Sequence, residues 1–349
     1  MNGMMETKSP KLSIVMPVYN DASSVKKMID SILANDYKDY ELIIVDDGSE
    51  KDTLTMLNGY ARSDVRIRIM QRERAPKGAP TCRNIGFDAA SGEYIVFFDS
   101  DDYVTPDCLA TRVKELDEHP ELDFIVFRSG ICHNDTFSIQ PDMGIYGYPI
   151  WKDDLASFAS RWLPFVVWNN IYRTGSLREK GIRWDEQLLS LQDADFNVAT
   201  LVAGMTYAYS GAAPNYGYRR ANASSVSRKI YGQEHFKSHE HSVRKMYTMV
   251  QGRYGHKYDR ALLGGVYFLY NTLMSGAGVN GQLADTLATA ISDLDPKGSR
   301  SLKTKARLSR LLEKILPPKA ARQIPMITFL LAFRYTRRQK IKKLRKVSF

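Results

Sequence analysis

The apolar residues of the first hundred positions fall into short runs that alternate with stretches of helical spacing. Runs of four to seven mostly apolar residues, bounded by glycine, proline or acidic residues, are typical of strands buried on both faces. Four such runs cover residues 12–18, 41–45, 65–70 and 94–98. Between them, apolar residues recur at helical spacing over residues 25–33, 54–57 and 79–90. The alternation predicts an α/β fold with a doubly wound, mostly parallel sheet flanked by helices.

The pattern loosens past residue 100. One more strand is predicted over residues 123–128, and residues 146–168 are rich in aromatic side chains, as in a pocket wall or a packing layer. From residue 233 onward the spacing is mainly helical, with a loop expected around residues 295–298. The chain therefore combines an α/β part with a helical C-terminal extension.

The positive charge of the chain is concentrated near its C-terminus. The chain carries a net charge of +10, and its 349 residues are enough to bury a large core. Residues 297–349 hold 17 Lys or Arg and one acid, Glu313, which leaves the preceding residues at a net −6. This distribution argues against a nucleic-acid-binding body and favours a tail that meets an anionic surface.

An apolar segment, residues 324–333, precedes the densest basic cluster. It is about half the length needed to span a bilayer and contains Pro325. Such a segment beside basic residues predicts an interfacial anchor on anionic lipid, with a solvated basic helix or a disordered end as the alternatives. We expect no secretory leader in residues 1–10, and the three cysteines, Cys82, Cys108 and Cys132, are expected to be reduced cytosolic thiols.

Acidic side chains follow two of the predicted strands. Asp46 and Asp47 end the second strand, and Asp99, Asp101 and Asp102 follow the fourth. Open α/β sheets bind ligands at the carboxyl ends of their strands. Carboxylates this close repel one another unless a cation lies among them, and oxygen ligands suit Mg²⁺ or Mn²⁺ bound together with substrate phosphates. An acidic loop or a helix N-cap is the alternative.

Four segments in order carry a family resemblance: Ile-Val-Met-Pro-Val-Tyr-Asn at 14–20, Ile-Ile-Val-Asp-Asp-Gly-Ser at 43–49, Arg-Asn-Ile-Gly at 83–86 and Phe-Asp-Ser-Asp-Asp at 98–102. Together they resemble the family 2 glycosyltransferases, inverting enzymes of the GT-A fold. The resemblance covers roughly residues 11–230. It implies an N-terminal tail (1–10), a GT-A domain (11–230) and a helical C-terminal region with a basic tail (231–349).

The resemblance implies a donor site for a nucleotide-sugar. Pro17 and Tyr19 would border the nucleobase, and Asp47 would accept a hydrogen bond from a uracil imide, which favours UDP. A helix-capping role suits the neighbouring Asp46 or Ser49 better than Asp47. The resemblance assigns Asp99 mainly to the ribose and Asp101 to the metal, Mn²⁺ or Mg²⁺, with Asp99 as a second candidate ligand.

Arg83, Asp102 and the arginine pair at 219–220 have two interpretations each. Arg83 either balances phosphate charge or forms a structural salt bridge. Asp102 either assists the metal or caps the next helix, and we favour the cap. Arg219 or Arg220 resembles the arginine of the family's flexible loop, which would close over the diphosphate as a lid, whereas its ordinary interpretation is solvent-exposed charge.

The general base is implied by residues 189–196, which resemble the family's Glu-Asp pair followed by Asp-Phe. On that alignment Asp193 removes the proton from the acceptor hydroxyl. Gln192 departs from the pattern by replacing the usual glutamate, and the lost charge should lower the pKa of Asp193 and weaken it as a base. Asp195 is the competing candidate, although its position before Phe196 indicates structural support.

Trp168 and Asn169 belong to a tryptophan-centred segment common in bacterial members of the family. They are expected on the acceptor side of the site, with core packing as the alternative for Trp168. The resemblance then implies transfer of a sugar, with inversion, to a hydroxyl of a glycan or lipid-linked acceptor during cell-surface polysaccharide synthesis. The enzyme would be cytoplasmic, bound peripherally to the inner face of the cytoplasmic membrane.

Other functions fit less well. A catalytically weakened or non-catalytic binding subunit is the main alternative, and only Gln192 favours it. A sugar-1-phosphate nucleotidyltransferase would need a glycine-rich loop where Pro-Val-Tyr-Asn stands at 17–20. The glycines of residues 276–281 match a dinucleotide-binding pattern, but they follow a predicted helix rather than a strand, so they indicate a helix end.

Overall fold

The computed structural model describes residues 9–133, 136–138, 146–219, 233–274 and 282–344. Its first part is the predicted alternation: β1 (Leu12–Val18), α1 (Ala22–Leu33), β2 (Tyr40–Asp46), α2 (Lys51–Ser63), β3 (Ile67–Gln71), α3 (Ala79–Ala89) and β4 (Tyr94–Phe97). The four strands and three helices expected from the sequence are therefore confirmed.

Shorter elements follow β4: β5 (Tyr103–Val104), α4 (Cys108–Glu118), β6 (Phe124–Val126), β7 (Ser129–His133), β8 (Thr136–Ser138), α5 (Asp154–Ala159), β9 (Asn170–Arg173), α6 (Thr174–Glu179), α7 (Gln192–Val202), β10 (Tyr207–Tyr209) and β11 (Tyr216–Arg219). The strand expected over residues 123–128 is present as β6. A 3₁₀ turn, Val167–Asn169, leads into β9.

Seven strands form the main sheet in the order β10-β6-β9-β4-β1-β2-β3. All pairings are parallel except those of β9, which runs antiparallel to β4 and β6. The doubly wound, mostly parallel sheet is thus confirmed. The chain adds β2 on one side of β1 and β4 on the other, so the crevice at the carboxyl end of β1 is where such sheets bind ligands.

A second sheet of four strands has the order β5-β11-β7-β8, and the sequence pattern did not predict it. Strand β11 runs antiparallel to β5 and parallel to β7. Because β5 follows directly after the Asp99–Asp102 segment, this sheet ties the acidic loop to residues more than a hundred positions away.

Helix α3 lies unusually close to β1 because of a glycine. A Cβ added at Gly86 would lie 2.5 Å from Cγ1 of Val15, whose side chain is fully buried in the sheet. Only hydrogen fits at that position without displacing Val15. The close approach brings Arg83, one turn earlier on α3, toward the carboxyl ends of the strands.

The C-terminal region is helical, as expected: α8 (Gln233–Tyr254), α9 (Asp259–Met274), α10 (Gln282–Ala290), α11 (Pro296–Leu312), α12 (Pro318–Gln323) and α13 (Ile327–Leu344). The loop expected around residues 295–298 was wrong, since Pro296 begins α11. Asp295 caps that helix by accepting a hydrogen bond from the backbone N–H of Gly298 at 2.8 Å.

These helices share a hydrophobic core with the sheet. One buried cluster runs from Val15 and Phe97 in the sheet through Phe196 on α7 to Tyr247 on α8 and Leu287 on α10. The proposed domain boundary at residue 230 lies outside the described residues. Among the helices that are described, none combines the length and the apolar character needed to cross a membrane.

Candidate active site

The turn after β2 separates the roles of its two aspartates. Asp46 accepts hydrogen bonds from the backbone N–H groups of Gly48 and Ser49, at 3.0 and 3.1 Å, and so holds the turn. Asp47 is also buried, but its carboxylate forms an ion pair with Arg72, one residue beyond β3. The helix-capping role considered for Asp46 or Ser49 is not realised, because the N-cap residue of α2 is Glu50. Asp46 holds the turn instead, and Asp47 pairs with Arg72.

The end of β1 lies beside that turn. Pro17 is buried within β1, whereas Tyr19 emerges from the sheet with 54% of its surface exposed. The Lys77 ammonium lies 3.7 Å from the centre of the Tyr19 ring, a cation–π contact. Asn20 joins the two turns, because its backbone N–H donates to Ser49 Oγ at 2.8 Å. The structure therefore places Pro17, Tyr19 and Asp47 at one end of the crevice.

The acidic loop after β4 is held by β11. Tyr216 Oη donates to a carboxylate oxygen of Asp102 at 2.7 Å, and it accepts the backbone N–H of Asp99 at 3.2 Å. The backbone N–H of Arg219 donates to the other Asp102 oxygen at 2.7 Å. The favoured capping role of Asp102 was wrong: α4 begins at Cys108, six residues beyond Asp102, and the Asp102 side chain instead joins the loop to the second sheet.

Negative charge accumulates in this loop. Burial, with the nearby charge of Asp99, raises the pKa of Asp101 to about 6, and Asp21 adds to the effect. Burial followed by the charges of Asp101 and Asp99 raises the pKa of Asp102 well above its usual value. Arg219 partly compensates, since its Nε donates to the Asp101 carbonyl at 3.0 Å. A cation would relieve the remaining repulsion.

The donor set fits a metal that completes its coordination with ligand oxygens. Within the described residues, no three His, Cys, Asp or Glu side chains converge closely enough to hold an ion by themselves. Asp102 is already bonded through both oxygens, which leaves Asp101 and Asp99 as the carboxylates of the motif. Their oxygen chemistry suits Mn²⁺ or Mg²⁺ held jointly with phosphates.

Arg83 connects the acidic loop to the start of α7. Its guanidinium donates to Asp99 Oδ1 at 2.5 Å and to Gln192 Oε1 at 3.0 Å. The same group lies 4.4 Å from the centre of the Trp184 ring. Gln192 in turn donates to the Leu188 carbonyl at 3.0 Å. Arg83 therefore forms the salt bridge that was one of its two interpretations. Its guanidinium also borders the acidic loop, where the sequence analysis expects the phosphates.

Asp193 lies one residue further along α7. It is half-buried, and burial raises the pKa of Asp193 to about 6, against the opposing positive charge of Arg83. The nearby charge of Asp99 adds to that rise. The sequence-based expectation considered only the charge lost at Gln192, whereas the effect of burial dominates and places the pKa above the usual aspartate value.

Asp195 has a different environment. Its carboxylate is buried and forms an ion pair with Lys245 on α8 at 2.7 Å. Lys245 also pairs with Asp185 at 2.7 Å, and His241 lies 2.8 Å from the same aspartate. The network joins α7, α8 and the loop before α7, which agrees with the expectation that Asp195 supports the structure.

Trp168 and Asn169 lie beneath the site rather than on its surface. The Trp168 ring is 4% exposed and stacks on Tyr216 with the ring centres 4.6 Å apart. Asn169 is fully buried, and its amide donates to the Phe127 carbonyl at 2.8 Å. The geometry thus favours the packing alternative for Trp168, and the expected contact with an acceptor stays a prediction.

Several residues at this edge were not anticipated from the sequence. Arg72 follows β3 and could have been found, since β3 and β2 are parallel neighbours whose carboxyl ends meet. Lys77 and Tyr216 had no such signal, because each reaches the site through a loop or a non-local strand. Arg219 was expected and lies against the acidic loop, while Arg220 and the glycine-rich residues 276–281 lie outside the described residues.

Comparison with known proteins shows which family has this sequence pattern. The model of the glycosyl transferase family 2 matches residues 13–179, the part that contains the turns after β1 and β2, Arg83 and the acidic loop. This part of the chain belongs to glycosyl transferase family 2. In sequence it is 29% identical to the uncharacterised glycosyltransferase EpsJ of Bacillus subtilis over 195 residues, which cover 54% of this chain and 56% of EpsJ.

Two further family members help to place the chain. It is 27% identical, over 54% of its length and 32% of the relative, to TarS of Staphylococcus aureus, a poly(ribitol-phosphate) β-N-acetylglucosaminyltransferase. It is 35% identical over 109 residues, 31% of this chain and 35% of the relative, to the GalNAc(5)-diNAcBac-PP-undecaprenol β-1,3-glucosyltransferase of Campylobacter jejuni. The chain thus spans about half or less of the length of these relatives.

The fold agrees with a solved structure of the family. The crystal structure of TarS residues 1–349 in complex with UDP-GlcNAc superimposes with a TM-score of 0.67 over 93% of this chain and 92% of that one. The sequence identity in that alignment is 18%, so the likeness concerns the fold. It confirms the GT-A architecture, including a helical region after the sheet.

Proposed function

We propose that this protein is an inverting glycosyltransferase that moves a sugar from a nucleotide-sugar, a UDP-sugar, to a hydroxyl group of an acceptor glycan. One observation carries the proposal: Arg83 directly bonds both Asp99 of the donor motif and Gln192, the neighbour of Asp193. The groups that would hold the diphosphate and the group that would activate the acceptor are thereby adjacent. In-line displacement requires that adjacency.

The donor nucleotide is proposed to lie along the carboxyl ends of β1 and β2. Asp47 would accept the imide N–H of uracil, with Arg72 holding its carboxylate in place. Tyr19 and Pro17 would border the base, and Asp99 the ribose. The TarS structure contains UDP-GlcNAc, which supports UDP as the nucleotide for a chain of the same fold.

Asp101, with Asp99, would hold Mn²⁺ or Mg²⁺ beside the diphosphate. When bound, the ion would supply positive charge that offsets the charge of the departing UDP. Arg83 and Arg219 add fixed positive charge from the protein on two sides of the loop. The role of Arg219 as a clamp on the diphosphate stays part of the proposal.

Asp193 is proposed to be the general base. Its carboxylate would accept the proton of the acceptor hydroxyl while the oxygen attacks the anomeric carbon from the face opposite UDP. A single displacement of this kind inverts the configuration at that carbon. A base whose pKa is about 6 is mostly ionised at neutral pH, yet it is more basic than an ordinary carboxylate.

The acceptor is proposed to be a cell-surface glycan or its lipid-linked precursor. The names of two relatives support this class, since one acts on poly(ribitol-phosphate) and the other on an undecaprenol-linked glycan. Trp168 and Asn169 would support the acceptor side from beneath. We place the enzyme in the cytoplasm, at the anionic inner face of the cytoplasmic membrane, with no nucleic-acid partner.

Calorimetric titration of UDP, with Mn²⁺ or with EDTA, tests the donor site first. We expect binding that depends on the metal and is lost in Asp101→Ala, whereas Asp52→Ala, on the exposed first turn of α2, should bind as the unaltered protein does. Turnover of UDP-GlcNAc with and without acceptor glycans would then separate a transferase from a binding subunit. Metal-independent binding, or full binding by Asp101→Ala, would contradict the metal role.

A further inference from the structure

Exposed apolar side chains are concentrated in one part of the C-terminal region. Seven large apolar residues between positions 308 and 335 are from 42% to 76% exposed: Leu308, Leu311, Ile315, Ile324, Ile327, Leu331 and Tyr335. In the rest of the described chain only Tyr19, Val65 and Leu189 are comparably exposed. A concentration of this kind indicates a surface that meets an apolar partner.

Helix α13 is fixed to the body rather than being a free tail. Phe333 stacks on Trp162 with the ring centres 4.7 Å apart, and Phe329 meets Tyr267 edge-on at 6.0 Å. Lys340 is only 3% exposed, and its ammonium lies 5.2 Å from the centre of the Tyr146 ring. One side of α13 therefore packs against the rest of the protein, and the opposite side faces outward.

The outward side of α13 has an apolar row and a basic row. Ile327, Leu331 and Tyr335 are four residues apart and so lie in one row along the helix. Arg334, Arg338 and Lys342 form the second row, also exposed; Arg334 follows Leu331 by three positions, so the rows adjoin.

The end of α11 repeats the combination on a smaller scale. Leu308, Leu311 and Ile315 are exposed and spaced by three and four positions, and Arg307 and Arg310 are exposed beside them. Across residues 297–349 Glu313 is the single acidic residue, and its carboxylate pairs with Arg322 at 2.8 Å. The surface is therefore apolar and strongly cationic.

We propose that the outward face of α13, together with the exposed end of α11, is an in-plane docking surface for an anionic phospholipid bilayer. The apolar row would enter the boundary between headgroups and acyl chains, and the basic row would meet the lipid phosphates. This deepens the proposed location at the membrane and rests on it. A charged anchor acting through electrostatics alone would not require the exposed row of Ile327 and Leu331.

A lipid surface fits this face better than two other partners. A second copy of the chain would bring two strongly basic faces together, and like charges oppose such pairing. A nucleic acid would match the charge but leave the apolar row facing phosphates. A bilayer with anionic headgroups satisfies both rows at once.

The surface is connected to the proposed acceptor side through packed aromatic rings. Tyr146, which lies under Lys340, meets the Trp168 ring edge-on at 5.7 Å. Trp168 stacks on Tyr216, whose hydroxyl bonds Asp102 in the acidic loop. Three side chains thus span the distance from α13 to the site. A helix lying on the bilayer would hold the crevice at a defined height, where a lipid-linked acceptor is presented.

Vesicle cosedimentation of the full chain tests the proposal. We compare vesicles of phosphatidylcholine with vesicles that also contain phosphatidylglycerol, at low and at high salt. The unaltered protein should bind the anionic vesicles, and added salt should weaken binding. The paired substitutions Ile327→Ser with Leu331→Ser, and separately Arg334→Gln with Arg338→Gln, should each lower the affinity about tenfold or more.

Val65→Ser is the matched control, because Val65 is 97% exposed on the loop before β3. That variant should bind vesicles as the unaltered protein does. UDP titration and thermal unfolding of every variant establish that the fold is retained. Failure of UDP binding with vesicle binding intact would refute the donor site and leave the docking surface standing.

Three outcomes would overturn the docking surface: no binding to anionic vesicles, unchanged binding by the apolar pair, or equal binding to neutral vesicles by all variants. Sedimentation velocity adds a fourth. A dimer in solution that the Ile327 and Leu331 substitutions abolish would assign the face to a second copy of the chain instead.

Discussion

Asp193 combines a half-buried environment with a proposed function that requires ionisation. Because burial raises its pKa to about 6, the carboxyl group is protonated below that pH and cannot accept a proton from an acceptor. We predict that the rate of transfer falls tenfold for each pH unit below about 6 and levels off above it. The measurement is the pH dependence of kcat/KM with a fixed metal concentration.

The substitution Asp193→Asn tests the same residue. It keeps the size of the side chain but removes the base, so transfer should fall by about 10²-fold or more while UDP affinity is unchanged. Initial rates and UDP titration measure the two effects. If Asp193→Asn transfers at the normal rate, the base lies elsewhere, and Asp195→Asn becomes the next variant to assay.

Gln192 makes two kinds of contact, and a glutamate could reproduce only one of them. Its oxygen accepts from Arg83, while its NH₂ group donates to the carbonyls of Leu188 and Leu189 at 3.0 and 3.3 Å. Gln192→Glu would turn a carboxylate oxygen toward those carbonyls. We expect a loss of about 1–3 kcal/mol in the free energy of unfolding. The added charge should also raise the pKa of Asp193.

Chemical denaturation and the pH profile measure these two effects. Gln187→Glu is the control, because Gln187 is an exposed amide in the loop before α7 and should tolerate the change. Unaltered stability together with an unaltered pH profile in Gln192→Glu would show that the amide is incidental. The family's usual glutamate would then be interchangeable with glutamine in this chain.

Helix α3 depends on the missing side chain of Gly86 for its position against β1. Gly86→Ala would force Val15 or the helix to move, and such overpacking costs about 1–3 kcal/mol. Gly59→Ala, on α2, has open space around the added methyl group and should be neutral or stabilising by up to about 1 kcal/mol.

Thermal unfolding of the two variants compares the change in stability at Gly86, where a methyl group does not fit, with that at Gly59, where it has open space. Because Arg83 is on α3, Gly86→Ala should also weaken UDP binding, whereas Gly59→Ala should not. A Gly86→Ala protein with normal stability and normal UDP affinity would mean that α3 can shift without consequence for the site.

The whole molecule has one continuous core on the side of the sheet that faces the C-terminal helices. Phe196 on α7 and Tyr247 on α8 belong to the same buried cluster as Phe97 in β4. The Lys245 ion pairs add a polar link between α7 and α8. Removing everything after residue 230 would expose this face and take away Lys245, the ion-pair partner of the buried Asp195.

We therefore predict that the full chain unfolds in a single transition and that residues 1–230 do not form a stable domain. Circular dichroism and tryptophan fluorescence, followed together during thermal unfolding, measure the first effect. Expression and proteolysis of the shortened chain measure the second. A soluble, protease-resistant fragment of residues 1–230 would instead establish an independent domain with its boundary there.

Most of the candidate donor site could be predicted from the sequence, because the sequence signals for it are local. The runs of residues 12–18 and 94–98 predicted β1 and β4, and the acidic residues that follow a buried strand are placed at the ligand-binding edge by the geometry of parallel sheets. Asp47, Asp99 and Asp101 could therefore be proposed as site residues from the sequence alone. Arg83 was found through a motif, with its two interpretations left open.

Other features depend on contacts between distant residues, and no periodicity reports them. The second sheet pairs β5 with β11, two short strands that are more than a hundred residues apart in the sequence. This pairing gives Asp102 its partners Tyr216 and Arg219. The burial of Trp168, and that of Asp193 with its consequence for the pKa, also required tertiary packing. The sequence alone determined β1 to β4, α1 to α3, β6, the helical character of the C-terminal region and the carboxylates at the sheet edge, since these follow from local spacing. Only the tertiary structure decided which of those carboxylates stay exposed, paired or buried, because solvation and charge depend on neighbours far along the chain.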